Sequence, residues 1–350
     1  MEGMMKAARL YKPGEPLKIE QVPIPKVGVE EVLVKMMACG ICATDVHTAV
    51  HGMVPVSFSP IILGHEPSGV IVEVGSIVKG WKAGDRVISF GAATCGSCSY
   101  CQQGKDSLCI SSQVMGMHRD GAFAEYFKIP ASSLTSLPEG IPFDQGAVLG
   151  DAVATPFHAL TKKGNLKAGE SVAVFGCGGL GFHAVQLAAV CGASKIIAVD
   201  VSDEVLDRAK RAGADEVING AKEKPAKSIK KLTAGEGVDL SLEFVGLNET
   251  IDQAIKSLKR GGRTVVAGIG NQKIEVVPPF IFVWSEYQLI GSFGSDLTDI
   301  QKLVGLLTTK KLDLSQSITA NIPLDEVNQG IQDLDKKVGN PVRIVVTQSE

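Results

Sequence analysis

Residues 5 to 40 alternate apolar and polar positions in short runs, KAARLYK, LKIEQV and EVLVKMMACG, with Pro and Gly at the breaks. Period-two alternation bounded by such residues predicts strands joined by turns. Proline stays where a strand tolerates it, at Pro23 and Pro25 between runs. GVIVEVG from Gly69 and DRVISF continue the β pattern, and GAFAEYFKIP and SLTSLPEG resume it within residues 113 to 150. Asp151 then opens a stretch with Val153, Phe157 and Leu160 at helical spacing, ending at Lys163 and Gly164. This predicts a helix leading out of a β-rich first domain.

From Glu170 the pattern changes to alternating strands and helices. SVAVFGCGGLGFHAVQLAAVCGASKIIAVD reads as a buried strand, a Gly-rich turn, a helix and a second buried strand. DEVLDRAKRAGA, KPAKSIKKLTAG and NETIDQAIKSLKRGG follow as helices, the last capped by Asn248 and stopped by Gly, with EVIN, VDLSLEFVG, RTVVAGIG and YQLIGSFG as strands. DLTDIQKLVGLLTTK and PVRIVVTQSE predict a helix and a terminal strand that returns to the first domain. The fold class expected is α/β, with a β-rich domain over residues 1–152, a Rossmann domain over 153–292 and a return segment over 293–350.

Gly176, Gly178 and Gly181, with Gly179 and Leu180 between them, give the GxGxxG spacing between two β runs. That context permits a tight turn, close approach of backbone to a pyrophosphate and close helix packing. Asp200 ends the second strand 24 residues beyond Gly176, where a carboxylate meets the ribose hydroxyls of NAD and repels the 2′-phosphate of NADP. The following Val-Ser-Asp-Glu offers no cation for that phosphate. Ligands of open parallel sheets lie at the carboxyl ends of strands, so Val245, Gly268, Ile269, Ser292 and Phe293 are further candidates for cofactor contact. The lysines of residues 222 to 231 read as a solvated face.

Composition narrows the field. A chain of 350 residues suffices for two domains, and 35 basic against 38 acidic residues give no electrostatic case for nucleic acid. No apolar run is long enough for a membrane span, and MEGMMKAARLYKPGEP lacks a signal-peptide core. The eight cysteines leave Cys39, Cys177 and Cys191 as buried thiols once metal positions are set aside, which points to a reducing cytoplasm.

Those metal positions are two. Cys95, Cys98, Cys101 and Cys109 are separated by two two-residue gaps and one seven-residue gap, within a lobe spanning residues 91–112. Four thiolates close the tetrahedron of a structural zinc ion. An iron–sulfur cluster also takes four thiolates, and a nucleic-acid zinc module would be basic and aromatic, whereas this lobe has Lys105 countered by Asp106 and one aromatic, Tyr100. The second group lies in GICATDVHTAVHG and ILGHE: a thiol at Cys42, a hydroxyl at Thr44, an imidazole at His47, then His65 and Glu66. Cys42 and His65 suit zinc, and a catalytic site needs a third protein ligand, for which Asp151 is the best candidate.

GICATDVH, GHEPSGVIVEVG, WKAGDRV, the four-cysteine lobe and GCGGLG, in this order, resemble the medium-chain, zinc-dependent alcohol dehydrogenase family over essentially the whole chain. The resemblance implies a GroES-like catalytic domain beside a Rossmann domain, with Cys42, His65 and Asp151 as catalytic zinc ligands and Glu66 beside the metal, either behind the ligands or exchanging as one. Many members carry cysteine where Asp151 stands; several polyol and secondary-alcohol enzymes carry a carboxylate. It further implies that Thr44 accepts the alcohol proton and that His47 is the outer base of a relay through the cofactor ribose. One catalytic and one structural Zn²⁺, NAD, and a cytoplasmic homodimer or homotetramer with contacts near Gln288–Ser292 complete the expectation.

The reaction expected is hydride transfer between NAD and an alcohol, secondary or cyclic, giving a ketone or aldehyde. Alternatives on the same site are a polyol, amino-alcohol or hydroxyacyl-CoA dehydrogenase. From another class comes a catalytically inactive nucleotide-binding protein. Phe58, Met117, Trp284 and Phe293 are candidate pocket walls, although aromatic side chains are more often core.

Overall fold

The computed structural model describes residues 3–348. The chain divides into two units, one running to Ala154 and resuming at Asp296, the other spanning Thr155–Ser295.

The spine of the first unit is the Glu31–Ile41 strand, EVLVKMMACGI, nearly all of it buried. It pairs antiparallel with Glu66–Val74, Tyr126–Pro130 and Ile344–Thr347 in a 7-stranded sheet. A 3-stranded sheet of Lys18–Pro23, Met4–Leu10 and Ile61–Ile62 adds a second layer. Val34, Met36 and Ile41 join Leu63, Ile71, Phe123 and Phe127 in one core. Fully burying a side chain of this size stabilises by about 1.5–3 kcal/mol. Register then places chemistry: Gly40 lies opposite Glu66, and Ile41 opposite Ile344. Cys42, Glu66 and Arg343 therefore arrive together at one end of three adjacent strands.

The helical run near Asp151 departs from the pattern. It begins at Phe143, with Pro142 as its cap and Asp144 in the first turn, so Asp151 lies inside it. The apolar stretch GAVLGDAVA conceals that start, because its small residues carry little periodicity. At Leu149–Val153 the helix widens to an i→i+5 turn. Such turns often occur at functional sites, since they re-aim a side chain without ending the helix.

The second unit is a 6-stranded sheet in the order Glu216–Asn219, Lys195–Asp200, Ser171–Phe175, Val238–Glu243, Leu258–Val266, Gln288–Gly291. Every pair is parallel. The strand order reverses between Ser171–Phe175 and Val238–Glu243, the switch point at which doubly wound sheets bind nucleotides. One helix end differs from expectation. The Asn248–Lys256 helix is capped by Leu247, and the Asn248 Oδ1 accepts from the Glu275 N–H at 2.5 Å instead. The helix gives way at Ser257, and Gly261 and Gly262 sit inside the Leu258–Val266 strand. Among the described residues no helix is long and apolar enough to cross a membrane.

Candidate catalytic metal site

Cys42 ends the Glu31–Ile41 strand and caps the short Ala43–Ala49 helix. The Cys42 N–H donates to Asp45 Oδ2 at 2.9 Å, and the Gly64 N–H donates to Asp45 Oδ1 at 3.2 Å. That same oxygen lies 3.6 Å from His65 Nδ1. Asp45 thus ties the two strand ends together and fixes the imidazole, leaving Nε2 facing Asp151 Oδ2 at 3.9 Å. A carboxylate on the far nitrogen is the usual device for orienting a metal-binding histidine. Cys42 Sγ is 3.7 Å from Asp151 Oδ2.

These separations suit a tetrahedral ion. Zinc bond lengths of about 2.3 Å to sulfur and about 2.0 Å to oxygen or nitrogen imply ligand–ligand edges of roughly 3.3–3.5 Å. The observed 3.7 and 3.9 Å are a few tenths longer, as expected of donors drawn inward on binding. Cys42, His65, Glu66 and Asp151 offer donor atoms all within 4.8 Å of one another.

Electrostatics match the donor set. Burial alone would raise the Cys42 thiol, but the Arg343 guanidinium and His65 bring it below its usual range. Burial opposes the His65 imidazolium, yet Asp45 and Cys42 hold its pKa well above normal. Arg343 Nη2 donates to Glu66 Oε1 at 2.7 Å and lies 3.9 Å from both Cys42 Sγ and Asp151 Oδ2. Glu66 is fully buried, and burial pushes its carboxyl well above the usual range against the pull of Arg343. Its Oε2 has no hydrogen-bond partner among the described residues. A Cβ at Gly40 would fall 2.1 Å from that oxygen, which is why only glycine fits there.

Thr44 Oγ1 lies 3.7 Å from Cys42 Sγ. His47, one helical turn on, is half-buried, its Nδ1 has no hydrogen-bond partner among the described residues, and its pKa is lowered by burial and by the neighbouring His51. His118 is a turn residue, its Nδ1 accepting from the Val114 N–H at 3.2 Å.

The four cysteines converge separately. Cys98 and Cys95 Sγ are 3.5 and 3.9 Å from Cys101 Sγ, near the roughly 3.8 Å edge of a tetrahedral four-thiolate site. Burial and the adjacent thiols push Cys101 up to about 12, while backbone N–H groups of Ser97 and Cys98 bring Cys95 down to about 6. Four thiolates there would need a cation to coexist, and the four sulfurs lie close enough for one ion to reach them all. Its outer turn is pinned reciprocally, the Ser107 N–H donating to Asp296 Oδ1 and the Leu297 N–H to Asp106 Oδ2.

In the second unit the glycine turn leaves no room for a side chain at two of its positions. A Cβ at Gly181 would lie 1.8 Å from the Gly176 carbonyl, and one at Gly176, whose φ is +81°, would lie 2.6 Å from Val245 Cγ2. Gly178, the residue before the Gly179–Val190 helix, faces open space instead. Helix N–H groups and dipole there favour an anion. Asp200 ends the Lys195–Asp200 strand, its Oδ2 accepting from the Cys177 N–H and its Oδ1 from the Val201 and Ser202 N–H groups. Gly268 packs on the Val245 and Gly246 amides, and the Ser292 Oγ is buried without a partner among the described residues. Ile269 and Phe293 are exposed, as is Trp284.

Residues 28–139 match the alcohol dehydrogenase GroES-like domain, and residues 179–309 match the zinc-binding dehydrogenase family. The chain is 36% identical to an L-threonine 3-dehydrogenase of Bacillus licheniformis, covering 95% of this chain and 96% of that protein. It is 38% identical to an alcohol dehydrogenase of Geobacillus stearothermophilus, with 95% and 96% covered. A Sinorhizobium meliloti zinc-binding dehydrogenase structure with NADP bound superposes with a TM-score of 0.91 at 32% identity, over 99% of this chain and 100% of that one. The chain belongs to the medium-chain, zinc-dependent alcohol dehydrogenase family.

Three polar residues of this dehydrogenase escaped the sequence pattern. Asp45 stood in plain view between Thr44 and His47, but one of its two backbone donors, Gly64, lies 19 residues away. Arg343 sits in the terminal PVRIVV run, 301 positions from Cys42, and only strand pairing brings it to the site. Arg208 lies over the Phe182 ring, and the Asp200 and Glu204 carboxylates oppose the lowering of its pKa by burial. For Arg343 the one available signal was an arginine just before the terminal strand, in a run that otherwise reads as core.

Proposed function

We propose that this dehydrogenase oxidises secondary or cyclic alcohols with NAD and reduces the corresponding ketones. One zinc ion would be held by Cys42, His65 and Asp151 and a second, structural one by Cys95, Cys98, Cys101 and Cys109. The observation that carries the reading is the convergence of a thiol, an imidazole and a carboxylate at tetrahedral spacing, with a fourth direction left to a substrate oxygen. A bound zinc ion supplies a Lewis acid that lowers an alcohol's pKa, and NAD supplies the hydride acceptor.

The chain does the rest. Asp45 keeps His65 oriented, and Arg343 offsets the Glu66 charge behind the ligands. Glu66 would serve as this partner to Arg343 before any service as a ligand. The Thr44 hydroxyl accepts the proton leaving the alcohol, and His47 is the terminal base, its lowered pKa keeping it neutral and receptive near pH 7. Gly176, Gly178, Gly179, Leu180 and Gly181 would hold the pyrophosphate, with Val245, Gly268, Ile269, Ser292 and Phe293 along the dinucleotide. Asp200 favours NAD by placing negative charge where a 2′-phosphate would sit.

The relatives named for L-threonine and for alcohols leave amino alcohols as the second substrate class, which the Asp151 carboxylate accommodates. Assembly through Gln288–Gly291 fits an edge strand paired on one side only, beside exposed Phe280, Val283 and Trp284. Initial rates with NAD and NADP across primary, secondary, cyclic, polyhydroxy and amino alcohols test the reading, with zinc quantified on the same sample. Turnover by metal-free protein, or a preference for NADP, would reject the corresponding half.

A further inference from the structure

His51 lies beyond the relay residues, on the turn that follows the Ala43–Ala49 helix. Its ring centroid is 6.0 Å from that of His47, with the planes tilted by 43°. Its Nε2 is 2.9 Å from Asp335 Oδ1, at the end of the Val327–Asp335 helix. The inner ring, His47, is half-buried, with a buried Nδ1 that has no partner among the described residues, whereas the His51 side chain is 42% exposed. The two imidazoles thus grade from enclosed to open, and the outer one carries a carboxylate.

We propose that the His51–Asp335 pair is a second proton station, receiving the proton from His47 and delivering it to solvent. This rests on the reading of His47 as terminal base. With Nε2–H donating to Asp335, Nδ1 of His51 is the free acceptor. An N–H bond of the His47 imidazolium breaks, an N–H bond forms at His51 Nδ1, and Asp335 stabilises the resulting charge. The spacing is one that a single hydrogen-bonded water spans. The proton then leaves from the exposed ring, and His47 is neutral for the next turnover. No electrons move.

The charged surroundings favour this direction. The lowered pKa of His47, set by burial and His51, makes it the readier donor, and Asp335 acts on it in the opposite sense. On the Val327–Asp335 helix, Asp333 is occupied by the Gln329 amide at 2.7 Å, and Lys336 and Lys337 follow the helix end. The loop against the other side, joined by the Gly14 N–H to the Ala49 carbonyl, carries only the exposed Lys12–Glu15 pair. Among the described residues, Asp335 is therefore the one anionic partner of the His51 ring.

The test compares wild type, His51→Gln, Asp335→Asn and His47→Gln in the zinc-loaded enzyme, by the pH profile of kcat for alcohol oxidation. His51→Gln should lose on the order of 10-fold at about pH 6.5 and recover toward higher pH, less than the roughly 100-fold expected for deleting a proton acceptor outright. Added free imidazole should restore the loss, which it would not do for a residue that only supports the helix. Asp335→Asn should show the same loss in smaller degree. Independently of turnover, ¹⁵N-histidine NMR titration should show the His47 pKa rising in His51→Gln and falling in Asp335→Asn. Unchanged profiles in His51→Gln alongside a clear defect in His47→Gln would overturn the second station alone. An unchanged profile in His47→Gln would overturn the relay beneath it.

Discussion

Replacing Arg343 with alanine removes the guanidinium paired with Glu66 and leaves that carboxylate fully buried. At 2.7 Å and an effective dielectric constant of about 20, the lost attraction is roughly 6 kcal/mol before solvation is counted. Breaking such a pair from one side costs about 3–5 kcal/mol in practice, because the surviving charge stays out of water. For a unit of this size that corresponds to a fall in Tm of roughly 6–20 °C. The penalty depends on pH with a definite sign. Glu66 has a folded-state pKa raised above its unfolded value, and removing Arg343 raises it further. Its contribution is thus most favourable below the unfolded carboxyl pKa and is lost as pH rises through the folded one. Urea denaturation of metal-stripped Arg343→Ala at several pH values should show a deficit that grows from mildly acidic to alkaline pH. The double variant Arg343→Ala with Glu66→Ala should recover most of it, since no buried charge is then left unpaired. A single-variant deficit below about 1 kcal/mol, or one equal at both ends of the pH range, would refute the reasoning.

Asp151→Asn should weaken catalytic zinc by at least about 100-fold while leaving the Cys95–Cys109 ion in place, read by metal analysis after dialysis against a chelator. Loss of neither ion would remove Asp151 from the ligand set. Asp200→Ser should raise kcat/KM for NADP by roughly 10–100-fold, since a like-charge clash of a few kcal/mol is relieved. NAD should weaken at the same time, because three turn amides lose their acceptor. An unaltered NAD to NADP ratio would mean that Asp200 only braces the turn.

The two halves of the chain differ in how openly they declare themselves. The glycine turn is legible because its constraints are local: Gly176 and Gly181 must lack side chains for contacts made within a few residues. Alternation along EVLVKMMACG likewise announces a strand, since burial there is set by period. The metal site is legible only in part. Cys42, Thr44 and His47 sit on one short stretch, so type and spacing speak for them. Asp151 is visible as an acid among small apolar residues, but its position inside a widened helix depends on a turn that no residue preference encodes. Arg343 is invisible until the Ile344–Thr347 strand is laid beside Glu31–Ile41. Non-local pairing made the electrostatic half of the site, and pairing is what a linear pattern carries least well.

That electrostatic half would suit a carboxylate in the role of third zinc ligand proposed for Asp151. Among the donors and the Glu66–Arg343 pair, the Cys42 thiolate, Asp151 and Glu66 against Arg343 leave two negative charges with His65 neutral, which a dication would offset, and Asp45 behind His65 adds one more. Without metal the same cluster must find protons. His65 is held protonated by Asp45 and Cys42 despite burial, and burial keeps Glu66 inclined to protonate. Zinc binding at neutral pH must therefore expel at least the His65 proton, and zinc affinity must fall as pH drops. Calorimetry in buffers of different ionisation enthalpy should report a release of about one proton or more per catalytic ion near pH 7, and less in Asp45→Asn, where the imidazolium loses its partner. Equal proton release in the two proteins would show that Asp45 orients the ring without tuning it, and the charge balance would then rest on Arg343 alone.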